Sequence, residues 1–160
     1  MAGEQSRQVK GRPGINGLNV SSHLVADKEN FDAIVALGRA TGINAMAEAD
    51  RAAGYLPPLA EGTAEFGGLS VKLGDRCAME YTIADKDIKR MDKNIEIAAF
   101  QADYVVVSFH THYAEPKDNA AVPRFIEDFA HRCIDMGADV FVGHGPHELR
   151  PVEIYNDKPI

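Results

Sequence analysis

The sequence predicts an α/β fold, a β-sheet flanked by helices, and three observations predict it. Ile88, Met91, Ile95 and Ala98-Ala99 recur at helical spacing and lead into the continuous apolar run Tyr104 to Val107. The pattern then repeats: Pro123 can open a helix burying Phe125, Ile126, Phe129, Cys133 and Ile134, and Gly137 closes it before Val140-Phe141-Val142. Two helix-strand steps in succession imply strands side by side in a layered sheet. The third observation is composition: 160 residues, 45% hydrophobic and 26% charged, are enough for one domain with a core, and the whole chain reads as a single domain, 1–160.

The N-terminal elements are weaker. Gly11-Arg12-Pro13-Gly14-Ile15-Asn16-Gly17 is a loop by its glycines and proline. A short extended piece at Leu18-Asn19-Val20 follows. Asp27 is placed to cap a helix whose apolar positions are Phe31, Ile34, Val35 and Leu37, stopping near Gly42. Asn44 to Ala53 reads as a second helix ended by Gly54, with Pro57-Pro58 forbidding its continuation. Leu56 to Gly68 reads as an exposed connection, and Leu69 to Leu73 and Ala78 to Thr82 as short strands. At the other end, Val152 to Tyr155, the turn Asn156-Asp157-Lys158 and then Pro159-Ile160 look like a hairpin whose returning strand has just begun. That ending predicts a chain truncated at its C-terminus.

Charge and hydropathy exclude some partners. A net charge of −7 without a Lys/Arg cluster argues against nucleic acid, which needs clustered cations to neutralise phosphates. A cation fits better. The apolar runs are far short of the roughly 20 residues that span a bilayer, so no transmembrane segment is expected. Met1 to Gly11 lacks the apolar stretch of a signal peptide. Cys77 and Cys133 have neither zinc-motif spacing nor disulfide-scaffold density and read as buried small hydrophobes.

The chemistry concentrates in histidines. His110 and His112 follow one predicted strand, and His144 and His147 follow the next. Strand ends in an open α/β sheet converge on one edge, so the two pairs can face a common site. Neutral imidazole is the commonest side-chain ligand for transition metals. In Gly143-His144-Gly145-Pro146-His147 the glycines permit a tight turn carrying two imidazoles, which points to metal or phosphate binding. Any one of these residues alone could be an ordinary loop histidine. Arg12 could clamp an anionic group in a bidentate contact, or be a solvated surface residue. Glu115, Lys117 and Asp118 could border a cleft beside His112. His131 reads as structural, His23 has no evident partner, and Asp85, Asp87, Asp92 and Glu96 read as a solvated helix face.

Ser108-Phe109-His110-Thr111-His112, Gly137 to His147, Pro151 to Tyr155 and, earlier, Arg12 to Asn16 resemble motifs of the CapA (poly-γ-glutamate capsule synthesis) family, within the calcineurin-like metallophosphoesterase superfamily. The resemblance is strong from Ala102 onward and weak between Val20 and Pro58. It implies a metallophosphoesterase-like layered α/β fold and a centre of two divalent metal ions, Mn, Fe or Zn, in the full-length parent. His110, His144 and His147 match its metal ligands, although the turn histidines are spaced by three rather than the superfamily's two, which leaves open which of them touches metal; His112 has no firm counterpart and could either support the ligands or contact substrate. The family's N-terminal ligand motifs do not occur before Gly11, so the resemblance implies a fragment holding the C-terminal half of the site. It further implies an anionic polymer, phosphoester or amide substrate, a capsule synthase complex as a possible partner, and a place at the cell envelope. Three functions follow as expectations: part of a metal-dependent hydrolase or transferase, a non-catalytic binding or assembly subunit of a polymer synthesis complex, or an inert fragment.

Overall fold

The computed structural model describes Lys10, residues 14–115 and residues 118–160. Within these the chain divides into two compact units, residues 21–82 and the remainder.

The first unit is a four-stranded mixed sheet with two helices. Strand β1 (Val20–Ala26) runs parallel to β3 (Leu69–Leu73), which pairs antiparallel with β2 (Thr63–Phe66); β4 (Ala78–Ile83) borders β1, giving the order β2-β3-β1-β4. The short extended piece expected at 18–20 is thus the start of a seven-residue strand. Its polar residues concealed it: Ser21 and Ser22 are exposed, while His23 turns inward, 8% exposed, to meet Glu80 at 3.3 Å. Helix α1 (Lys28–Thr41) begins where Asp27 accepts a hydrogen bond from the Asn30 amide at 3.0 Å and ends at Gly42 in the left-handed region, as the sequence predicts. Leu37, one of its apolar positions, is 52% exposed. Helix α2 (Ala45–Ala52) also forms. The expected connection 56–68 instead contains β2, held by its ladder with β3 and by the Asn44 side chain, which donates to the Glu65 carbonyl and accepts from the Gly67 amide.

The second unit carries His110, His112, His144 and His147. Helix α3 (Asp85–Gln101) leads to β5 (Val106–His110), and α4 (Arg124–Asp135) leads to β6 (Val140–His144). The two strands pair in parallel, Val106 opposite Val140 and His110 opposite His144. A two-residue turn then joins β7 (Ile154–Tyr155) to β8 (Lys158–Pro159), with Asn156 and Asp157 both at positive φ, as a type I′ hairpin requires. Beneath the parallel pair lies the core: Ile95 from α3, Val105 and Val107 around β5, Phe129, Cys133 and Ile134 from α4, and Ala138 and Phe141 leading into β6. Phe129 packs against Phe109 and Phe141, with ring centroids 5.3 and 6.0 Å away.

Three further expectations need correction. The strand expected at Tyr104 to Val107 starts two residues later, because Tyr104 is 80% exposed and the ladder begins at Val106. Cys133 is buried as expected, whereas Cys77 is exposed. Asp87 belongs to no solvated face: its side chain is fully buried, accepting from the Asn19 amide at 2.7 Å, the Asn19 side chain at 2.8 Å and Arg90 at 2.7 Å. Asn19 lies far off in sequence, so helical periodicity could not reveal that partner.

Candidate functional site

Parallel pairing places the carboxyl ends of β5 and β6 together, and each strand ends on a histidine. His110 and His144 are direct partners in the register. Their Nδ1 atoms are 2.9 Å apart, and His110 Nε2 is 3.1 Å from His112 Nε2. The His112 ring lies 5.2 Å from that of His147, centroid to centroid. The four histidines singled out in the sequence therefore form one chain of rings in the order His144, His110, His112, His147. All four are exposed.

The backbone that permits this is specific. Just past β5 the Thr111 amide donates to the carbonyl of His144, the last residue of β6, at 2.9 Å, which draws the two strand ends together. A Cβ on Gly145 would lie 2.6 Å from the Thr111 carbonyl oxygen, and its φ is +114°. Only glycine meets both demands. His147 itself adopts φ 61°, an uncommon conformation for a residue with a side chain, and this belongs to the turn that brings its ring to His112.

Two contributors escaped the sequence reading. Ser108, one strand period before His110, lies with its hydroxyl 2.9 Å from His144 Nε2. Its side of the strand is legible from alternation, but the cross-strand partner needs the register. Arg150 donates to the Tyr113 carbonyl at 2.8 Å and the Asn119 carbonyl at 3.2 Å, tying the segment after His147 to the loop after His112. Arg12 and Lys117, both named as candidates, lie outside the described residues, and Glu115 and Asp118 face each other across a short bridge.

One N–H per ring satisfies the whole chain of contacts. If the Ser108 hydroxyl donates to His144 Nε2, His144 Nδ1–H donates to His110 Nδ1, and His110 Nε2–H donates to His112 Nε2; the reverse order serves equally. The same geometry tests the fit to a metal. Neutral imidazoles are suitable donors, yet His110 engages its neighbours through opposite nitrogens, so the three rings do not face a single point. Among the described residues no group of three or more His, Cys, Asp or Glu is placed to hold an ion. The donor type fits a metal centre, and the donor number fits only part of one.

Also beside the site is a cavity of about 940 Å³, bounded by β6, α4, the segment after His144 and the end of the β7–β8 hairpin.

Comparison with known proteins agrees with the resemblance. The family model for the bacterial capsule synthesis protein PGA_cap matches residues 21–160. An uncharacterized protein, y4sH, of Sinorhizobium fredii is 27% identical over 154 residues, covering 96% of this chain and 31% of the relative. The capsule biosynthesis protein CapA of Bacillus anthracis is 40% identical over 68 residues, covering 42% of this chain and 16% of the relative. A probable polyglutamine synthesis accessory protein of Mycobacterium tuberculosis is 43% identical over 58 residues, covering 36% and 14%. The chain thus spans about a third of the length of y4sH and less of the other two. No helix among the described residues is long and apolar enough to cross a membrane. With the model match extending over most of its length, this chain belongs to the bacterial capsule synthesis protein family PGA_cap, the CapA family, whose fold is metallophosphoesterase-like.

Proposed function

We propose that the strand-end histidines are the C-terminal half of a metal centre in a CapA-type hydrolase or transferase acting in capsule, poly-γ-glutamate, synthesis. The observation that carries this reading is the pairing of His110 with His144 at the ends of adjacent parallel strands, with His112 and His147 next in line. His110, His144 and His147 would supply imidazole ligands to one or both of two divalent ions, Mn, Fe or Zn. The remaining ligands would come from polypeptide of the kind that the longer relatives carry. A bound divalent ion in such a centre lowers the pKa of water and offsets charge on reacting oxygens. This chain's own part is positional: Ser108 and the Thr111–His144 backbone bond fix the His144 ring, and Gly145 allows the turn that presents His147. His112, next to His110, is the candidate contact to a bound substrate or to the ligands themselves. Arg12 is the candidate grip for an anionic group on the polymer, phosphoester or amide. The family's role in capsule synthesis suggests the cell envelope as the place of action.

The test is His144→Ala in a full-length protein containing this segment. Loss of one of its bound metals and a fall in metal-dependent hydrolysis of about 10²-fold or more is expected, since the residue would be a ligand. Unchanged metal content and activity would refute the assignment.

A second reading is favoured by the contacts of His110, which link neighbouring rings without enclosing an ion. In it the site no longer catalyses, and the protein is an assembly or binding subunit beside a capsule synthase. One of the relatives is described as an accessory protein. Tight stoichiometric metal in the full-length protein would rule this reading out.

A further inference from the structure

We infer that Arg150 is the anion contact of this site, its guanidinium taking a carboxylate or phosphate oxygen of the substrate beside the histidines. The inference rests on the reading above and deepens it, by giving the substrate's negative group a partner among the described residues. Three hydrogen bonds fix the guanidinium. Nε donates to the Asn119 carbonyl at 3.3 Å, and Nη2 donates to the Tyr113 carbonyl at 2.8 Å and to that of Asn119 at 3.2 Å. Carbonyls satisfy N–H groups, but they carry no net charge to set against a cation. Arg51, Arg76, Arg90, Arg124 and Arg132 each meet a carboxylate. Arg39 has no such partner among the described residues and is exposed to water. Arg150 is half-buried, forms no ion pair among the described residues, and its Nη1 takes no part in the three bonds. Withdrawing a charge from water is costly unless an opposite charge replaces the water, so this arrangement calls for an anion.

Position ties that anion to the site. Arg150 lines the same cavity as His144 and His147. Held through Nε and Nη2, it leaves Nη1 to donate to an oxyanion, a charge-assisted bond roughly twice as strong as a neutral one. Lysine's flexible ammonium would not keep both carbonyls and an anion in one fixed geometry. The acids of the cavity are otherwise engaged or in water. Both Glu153 carboxylate oxygens lie 2.9 Å from His131 Nε2, Glu127 lies 3.8 Å from Arg124, and Glu148 is exposed, where solvent ions screen it.

The experiment is an NMR titration of the whole chain, freed of metal by dialysis against EDTA, at pH 7.5 and at an ionic strength held constant with NaCl. Inorganic phosphate and acetate are the two probes, and the one that binds tells a phosphoryl group from a carboxylate. The Arg150 Nε–H and His147 ring signals are expected to shift saturably with at least one of them. Arg150→Lys, which keeps the charge, should weaken that binding about tenfold, and Arg150→Gln should remove it. The unaltered chain decides the matter even where a variant loosens the loop. The proposal is overturned if neither probe moves the Arg150 signal at concentrations up to about 100 mM. It is also overturned if NaCl alone gives the same shift, or if both variants bind as tightly as the parent. Because no metal is present, a failed titration leaves the metal reading standing, and an unaltered metal content in His144→Ala leaves the Arg150 contact to be judged on this titration.

Discussion

Asp87 has no solvent-accessible surface, and three donors hold its charge there: the Asn19 amide, the Asn19 side chain and the Arg90 guanidinium. Arg90 in turn donates to the Gly17 carbonyl, so one buried carboxylate ties residues 17–19 to α3. The hydrogen bonds from Asn19 foremost, with help from Arg90, lower its pKa against the opposing effect of burial. The folded-state value therefore lies below the unfolded one, near 3.9. Its contribution to stability is complete above about pH 4 and is lost as pH falls through the lowered folded value. Asp87→Asn should lower the urea midpoint at pH 7 and narrow the difference between midpoints at pH 7 and pH 3; an equal pH dependence in both proteins would contradict this. Gly145 acts on the backbone alone. Gly145→Ala puts a methyl 2.6 Å from the Thr111 carbonyl at a φ that disfavours L-residues, and should cost about 1–3 kcal/mol in urea unfolding while shifting the ring resonances of His144 and His147. An unchanged midpoint with unchanged histidine spectra would contradict the close approach.

At the scale of elements, α4 shows what local pattern can specify. Ile126, Phe129, Cys133 and Ile134 are buried where their spacing puts them, because an apolar stripe at helical period has one way to leave water. Burial pushes the Cys133 thiol up to about 12, so it stays protonated at neutral pH. Cys77 is exposed, and its thiol lies 3.5 Å from Asp27. Iodoacetamide at pH 8 should thus label Cys77 and spare Cys133 in the native chain, with both labelled in urea. Mass spectrometry reads the difference, and rapid native labelling of Cys133 would contradict the packing. The α-to-β steps, the capped α1 and the 156–157 hairpin turn were legible for the same reason: each rests on residues within a few positions of one another. Where the deciding contact is distant, the sequence was silent. Strand β2 is defined by β3, His23 is buried by virtue of Glu80, and Asp87 by virtue of Asn19. Ser108 beside His144 likewise depends on a register that only the folded sheet provides.

At the scale of the whole molecule, the chain brings together histidines from two strand ends, and the proposed centre would need further ligands from other groups. That the two pairs would meet was readable from the ends of consecutive parallel strands. Their order, and the use of both His110 nitrogens, was not, since these depend on rotamers and on the Gly145 turn. Family membership covers residues 21–160, while the chain amounts to 31% of its relative y4sH. The proposed half-site predicts measurable but weak metal affinity, because three or fewer imidazoles on an exposed edge lack the carboxylate ligands and the enclosing second shell that tighten a centre. The direct measurement is titration of this chain at pH 7.5 with Zn²⁺, following the imidazole resonances by NMR. The account predicts that the ring signals of His110, His144 and His147 shift together and saturably, that those of His23 and His131 do not, and that His144→Ala removes the response. Ring signals that stay fixed in excess Zn²⁺, or that respond equally at all six histidines, would contradict it.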